Sequence, residues 1–292
     1  MKRNLFLFIL SLSAAVVFAA QPTASFERTK QSTVYLENQL TDDCAWAESP
    51  CYHGLDFQTS ILWPVAASSA QQLYDLRKCI VSHLVGDSLA DVLANRLNLS
   101  NFPKILHTRM HTDFYQSIYL SEGDTMHIAA KKPKAGLALD DHLEEMELHR
   151  AYSGVYTLFF HYRHLPSGAM GGCHYGFSCL NYDLNLSRPL TIADIFLPER
   201  MEEADEALRS ESVKHLYEIG ELDSATPEDV ANFETGFDPK DAIGWYMSDE
   251  GVVYLYQCWE VASAAAGVVE VTIRVRDYRH LFRPEALKYW RK

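Results

Sequence analysis

Two strand-like runs near the C-terminus constrain the fold more than any other feature of the chain. Val252, Val253, Tyr254, Leu255, Tyr256, Gln257, Cys258 and Trp259 form an almost continuous apolar series rich in β-branched and aromatic residues. Such a series belongs in a strand covered on both faces, because a strand with one wet face would alternate. After a small-residue link from Ala262 to Gly267 the alternation does appear. Val269, Val271, Ile273 and Val275 interleave with Glu270, Thr272, Arg274 and Arg276, the period of two that turns one face to the core and one to water. The two runs are expected to lie together in one sheet, the first of them central.

Elsewhere strands and helices mix without the regular strand-helix-strand alternation of a parallel sheet, which predicts the α+β class. The expected organisation is two subdomains, residues 20–148 and 149–292, each an antiparallel sheet with helices packed on one face. In the first, a turn-rich stretch leads into a strand from Leu55 to Trp63. A helical apolar stripe follows at Leu73, Leu76, Ile80, Leu84, Leu89, Val92, Leu93 and Leu97. It is interrupted at Gly86-Asp87-Ser88, giving two helices or one broken helix. Phe114 to Leu120 and Thr125 to Ala130 read as strands, and Asp140 to Glu147 as a charge-dense solvated segment. In the second subdomain Tyr152, Tyr156, Leu158, Phe160 and Tyr162 share one face of a long strand, and Phe177 to Leu186 forms the next. Met201 to Ile219 reads as an amphipathic helix with an acidic face, and Thr226-Pro227-Glu228-Asp229 starts a further helix.

The N-terminus predicts export. Lys2 and Arg3 precede an apolar run from Leu5 to Phe18 that is followed by Ala19, the pattern of a signal peptide over residues 1–19. The run is short for a membrane span, and no later segment approaches about 20 apolar residues. The expected location is periplasmic or secreted. Removing Lys2 and Arg3 from the 26 basic residues leaves 24 against 39 acidic ones, a formal charge of −15. That balance disfavours nucleic acid or anionic lipid as a partner and allows a cationic one. Six cysteines in an oxidising compartment favour disulfides but permit many pairings. The close pairs Cys44 with Cys51 and Cys173 with Cys179 are the first expectations, leaving Cys79 and Cys258 either bridged or buried.

Four segments follow one another along the chain: Gly171-Gly172-Cys173-His174, then Asn181-Tyr182-Asp183, then Leu190-Thr191-Ile192-Ala193-Asp194-Ile195-Phe196, and finally Trp259-Glu260-Val261-Ala262 with Ala266 to Ile273. Over about Tyr152 to Phe282 this series resembles the extracellular domain of RsiV-type anti-sigma factors, also found beside PdaC-type polysaccharide deacetylases. The resemblance implies a domain that senses lysozyme in the former and accompanies a catalytic unit in the latter. Neither the membrane and sigma-binding segments of the one nor a deacetylase unit of the other is recognisable here, so only the module carries over.

Among candidate sites, paired glycines let the backbone bend or approach a ligand while His174 projects from the turn. Gly171, Gly172, His174, Asp183 and Glu260 are therefore the candidate ligand-binding residues. The blander alternative is a hairpin shaped by the glycines, with His174 bonded to nearby backbone. His107 and His111 have the spacing of a helical metal pair and resemble the histidine pair of NodB-type deacetylases, which also need paired aspartates earlier in the chain. Here Asp140-Asp141 comes later, and Phe102-Pro103 and Phe114-Tyr115 suggest extended chain, which would set the two histidines about 13 Å apart. His161 and His164, three apart on a strand, point to opposite faces. Cys173, His174 and Cys179 fit a disulfide better than zinc. No metal site or cofactor is expected. No nucleophile elbow, phosphate loop, dinucleotide fingerprint or metalloprotease helix motif occurs. The expectation is a non-catalytic binding or sensory module for a cell-wall component or a cationic protein such as lysozyme. The rival is a cell-wall glycan hydrolase or deacetylase using His174 with Glu260 or Asp183 as acid and base.

Overall fold

The computed structural model describes residues 23–37, 52–118, 126–129, 137–152, 154–165, 174–222, 242–257 and 268–290. The expected signal peptide, Cys44, Cys51, Cys258 and the helix expected at Thr226 lie outside the described residues. A long hairpin of β1 (Ala24–Glu37) and β2 (Tyr52–Ala67) leads into helices α1 (Ala70–Val85), α2 (Asp87–Leu93) and α3 (Phe102–Ile118). Strand β3 (Met126–Ile128) pairs with β1, and β4 (Leu137–Tyr152) lies parallel to β2. Antiparallel β5 (Val155–Leu165), β6 (His174–Asp183) and β7 (Arg188–Pro189) complete a seven-stranded sheet in the order β3-β1-β2-β4-β5-β6-β7. Helices α4 (Ile192–Ile195) and α5 (Met201–Glu218) precede a three-stranded sheet of β8 (Gly244–Met247), β9 (Gly251–Tyr256) and β10 (Val269–Arg274), with β9 central. Helix α6 (Val275–Tyr278) and short 3-10 turns close the described chain. Among the described residues no helix is long and apolar enough to cross a membrane.

The elements stack in layers. Helices α1 to α3 cover one face of the large sheet, where Leu76, Ile80, Leu97, Phe102 and Leu106 meet Leu55, Phe57, Ile61, Trp63, Leu158 and Leu180. The small sheet docks on the opposite face, with Tyr246, Val253 and Leu255 against Phe159 and Cys179. Its outer face, formed by Val252, Tyr254, Tyr256, Val269, Val271 and Ile273, packs on Ala204, Ala207, Leu208 and Leu216 of α5. Strand β9 is therefore buried at every residue, and β10 buries Val269, Val271 and Ile273 while Glu270 is exposed. Both patterns are those expected of the two C-terminal runs, and the strands pair antiparallel. Each large apolar side chain enclosed this way contributes roughly 1.5–3 kcal/mol.

The α+β class holds, with one parallel pair, β2 with β4, inside an otherwise antiparallel large sheet. Residue 148, where the two subdomains were expected to meet, lies within β4, so the large sheet continues across it. The helical stripe splits into α1 and α2 at Gly86, whose φ of 81° is one that glycine adopts without steric cost. The strand expected from Phe114 is instead the end of α3, and His107 and His111 are helical rather than extended. The reason is positional: Pro103 sits in the first turn of α3, where a missing N–H costs nothing. The charge-dense stretch from Asp140 to Glu147 is not merely solvated. It forms part of β4, with His142 and Met146 buried and Glu145 bound to Arg28, Ser60 and His161 across neighbouring strands. Strand β1 has no counterpart in the expectations, because its polar residues hide the alternation of Thr33 and Tyr35 toward the helices.

The histidines of α3 face the sheet. The two ring nitrogens of His107 meet the hydroxyls of Thr33 and Thr59 at 2.9 and 3.0 Å, and the Tyr35 hydroxyl meets His111 Nδ1 at 2.6 Å. Burial, reinforced by the neighbouring His111, pushes His107 down to about 4, and burial lowers His111 as well. An unfolded chain binds these protons near pH 6.5. Between about pH 6.5 and 4 the unfolded state is therefore the more protonated one, and stability falls as pH falls through that window. Burial also lowers His83 and His149. Thermal melts are expected to show a lower midpoint at pH 4.5 than at pH 7, with His107→Gln flattening part of the slope. An unchanged slope in that variant would remove His107 as a source.

Candidate functional site

Strand β6 carries the triplet Asn181-Tyr182-Asp183, and its alternation sends the three side chains to different tasks. Asn181 and Asp183 face the small sheet and the C-terminal turns, whereas Tyr182 faces the helices. The Asn181 amide donates to the Trp245 carbonyl at 2.7 Å, and its oxygen accepts from the Thr157 hydroxyl at 2.8 Å. Asp183 is fully buried. Its Oδ1 accepts from the backbone N–H and side-chain amide of Asn185 at 2.7 and 3.0 Å and from the Leu186 N–H at 3.3 Å. Its Oδ2 accepts from the Tyr289 hydroxyl at 2.6 Å. This carboxylate thus shapes the turn after β6 and ties down the C-terminal segment.

The leucine-threonine-x-x-aspartate series has an equally local explanation. Thr191 precedes α4, and both its N–H and its hydroxyl donate to Asp194 Oδ2, at 2.8 and 2.9 Å. The Arg188 guanidinium adds two bonds to the same carboxylate at 2.9 and 2.6 Å. Chiefly through Arg188, the carboxyl is held well below the usual range. Leu190, Ile195 and Phe196 are buried beneath it.

Of the sequence candidates, Asp183 is therefore an internal scaffold residue in this geometry. His174 heads β6, but its side chain, Gly171, Gly172, Cys173 and Glu260 lie outside the described residues. The expected Cys173 to Cys179 bridge is corrected: Cys179 is a free thiol that donates to the Trp245 carbonyl at 2.8 Å. The extended course of β6 from His174 accounts for this. His174, the neighbour of Cys173, stands five extended residues or about 17 Å from Cys179, and a disulfide needs Cα atoms within about 7 Å. Burial pushes both Cys79 and Cys179 up to about 12, so neither is a ready nucleophile. His161 and His164 do face opposite sides, the former on Glu145 and the latter near His142 and Phe114.

A cleft of about 530 Å³ opens between α1 and β6–β7, lined by Asp75, Lys78, Cys79, Ser82, His83, Leu180, Tyr182, Ser187 and Pro189. The five α1 residues follow at helical spacing and share one side of the helix. His83 meets the Ser178 hydroxyl at 2.8 Å with its ring 4.2 Å from that of Phe160, and burial lowers it, so the imidazole is neutral near pH 7. Lys78 is bridged to Asp91 at 2.7 Å. Tyr182 is 1% exposed, and its buried hydroxyl has no hydrogen-bond partner among the described residues. Burial, with Asp75 and Cys79 nearby, raises it. Of these α1 residues only Cys79 stands out in the sequence, as a cysteine either bridged or buried. Their signal was a second, polar stripe at Asp75, Cys79 and Ser82 alongside the apolar one.

Removing the Asp183 carboxylate strands the Tyr289 hydroxyl and two turn N–H groups. Asp183→Ala is expected to cost about 3 kcal/mol or more in denaturant unfolding, with Asp183→Asn costing less. A loss below about 1 kcal/mol would contradict the scaffold role.

Comparison with known proteins finds similarity in fold and, over one segment, in sequence. No curated protein matches the chain. A solved DUF3298-family protein from Pseudomonas aeruginosa shares 12% identity over 89% of this chain and 96% of its own, with a TM-score of 0.49. A member of the same family from Bacteroides fragilis shares 16% identity over 90% of this chain and 96% of its own, with a TM-score of 0.55, and so has the same overall fold. Residues 193–276, from α4 through α5 and the small sheet to the start of α6, match the family described as protein of unknown function (DUF3298).

Proposed function

We propose that the protein is an exported, non-catalytic binding or sensory module of the bacterial envelope, acting on a cell-wall component or on a cationic protein such as lysozyme. The observation that carries this reading is the division of labour around β6. Asn181, Asp183, Thr191 and Asp194 are committed to internal hydrogen bonds, while the neighbouring cleft keeps a polar rim and a hydroxyl without a partner among the described residues. Export rests on the apolar run from Leu5 to Phe18 after Lys2 and Arg3. A formal charge of −15 without those two basic residues, 24 basic against 39 acidic, suits steering of a cationic partner at low salt. The rival, a hydrolase or deacetylase pairing His174 with Asp183 or Glu260, loses Asp183 as its acid or base, since that carboxylate has no accessible surface.

The test incubates the purified mature chain with lysozyme and, separately, with peptidoglycan. Saturable heat of binding to one of them without released product is the expected result. Product detected by mass spectrometry and abolished by His174→Ala would replace this reading with the enzymatic one.

A further inference from the structure

We infer that the cleft between α1 and β6 is a glycan subsite taking a neutral acetamido sugar of one or two pyranose rings, whose amide carbonyl accepts from the Tyr182 hydroxyl. The inference rests on the binding reading above and names its site and ligand class. The volume of about 530 Å³ falls within the range of about 300–1,000 Å³ usual for small-ligand sites.

The lining is amphipathic in the manner of a sugar. Leu180, Pro189, the Tyr182 ring and the Cys79 thiol, which is protonated at neutral pH, offer an apolar floor for the C–H face of a pyranose. Ser187 and the remaining acceptor capacity of Asp75 and Ser82, which are bonded to Gln71 and Asp87 respectively, supply rim groups for its hydroxyls. The Lys78 charge is spent on Asp91, and His83 is neutral and engaged by Ser178. The rim therefore holds no uncompensated cation for an anionic ligand.

The pointer to a ligand, rather than to a dent in the surface, is Tyr182. Buried hydroxyls almost always find a partner, because leaving one unpaired costs free energy. This one lies among Asp75 and Cys79, both lining the cleft, and bonds to neither. A carbonyl arriving from the cleft satisfies it. The hydroxyl is covered in the unliganded protein, so binding includes a side-chain adjustment at the floor.

The test titrates the full mature chain with di-N-acetylchitobiose by calorimetry, with cellobiose and a peptidoglycan stem peptide as comparators. Chitobiose is expected to bind saturably, and cellobiose, which lacks the acetamide, about tenfold more weakly. Tyr182→Phe is expected to weaken chitobiose by about tenfold while leaving the thermal midpoint unchanged or raised, since the lost hydroxyl has no partner among the described residues. Asp75→Ala, on the helix surface, is expected to weaken it as well. Equal chitobiose affinity in Tyr182→Phe and wild type overturns the site, as does binding of the stem peptide alone. If peptidoglycan or lysozyme binds wild type and Tyr182→Phe alike while chitobiose does not bind, the site falls and the binding module stands. If none of the three binds, both fall.

Discussion

The Trp245 carbonyl, together with the Met247 carbonyl that accepts from Arg150 of β4, ties the two sheets of this protein to each other. It receives the Asn181 amide and the Cys179 thiol, both rising from β6. Stacked sheets meet through side chains, and a backbone carbonyl facing another sheet would otherwise be buried without a donor. Asn181 is itself held by Thr157 on the adjacent strand, so the polar chain runs from β5 through β6 to β8. The apolar contacts of Phe159 with Tyr246, and of Val253 and Leu255 beside them, can form only in the register this chain sets. Gly244 completes the fit, since a Cβ there would lie 2.7 Å from the Cys179 sulfur.

What was legible in the sequence follows from which residues carried their own periodicity. β9 and β10 were visible because covering both faces of one strand and a single face of the next writes two different hydrophobic patterns. The Gly86 break and the helix from Met201 were visible for the same kind of reason. Phe102-Pro103 and Phe114-Tyr115 suggest extended chain around His107 and His111, whereas a proline in a first helical turn is harmless and the segment is helical. β1 and β4 were obscured because their inward positions hold threonine, tyrosine, histidine and glutamate. Those residues pair with one another across the sheet and with α3, a partnership that a one-dimensional pattern does not display.

The motifs were legible as segments but not as roles. In the sequence Asp183 reads as a candidate ligand-binding or acid-base residue, and Asp194 as part of the next motif. In the fold each is saturated by donors within a few residues or from the C-terminal turn, which is how an acid comes to shape a turn instead of performing chemistry. The cleft beside the β6 motif is lined jointly by α1, which carries no motif, and by Tyr182 of β6. Only the packing of α1 against β6 brings Asp75, Cys79 and Tyr182 together.

The parallel pairing of β2 with β4 has a consequence for how the chain reaches this state. Tyr52 aligns with Leu137, so β2 waits for its second neighbour until all of α1 to α3 and β3 has been made and placed. The β1–β2 hairpin and the helices form from nearby sequence, but the other edge of β2 stays bare until β4 arrives. Pairings this distant in sequence slow folding, and an unpaired strand edge is a template for other chains. The pairing of β2 with β4 is therefore the contact in the large sheet that depends most on distant parts of the chain.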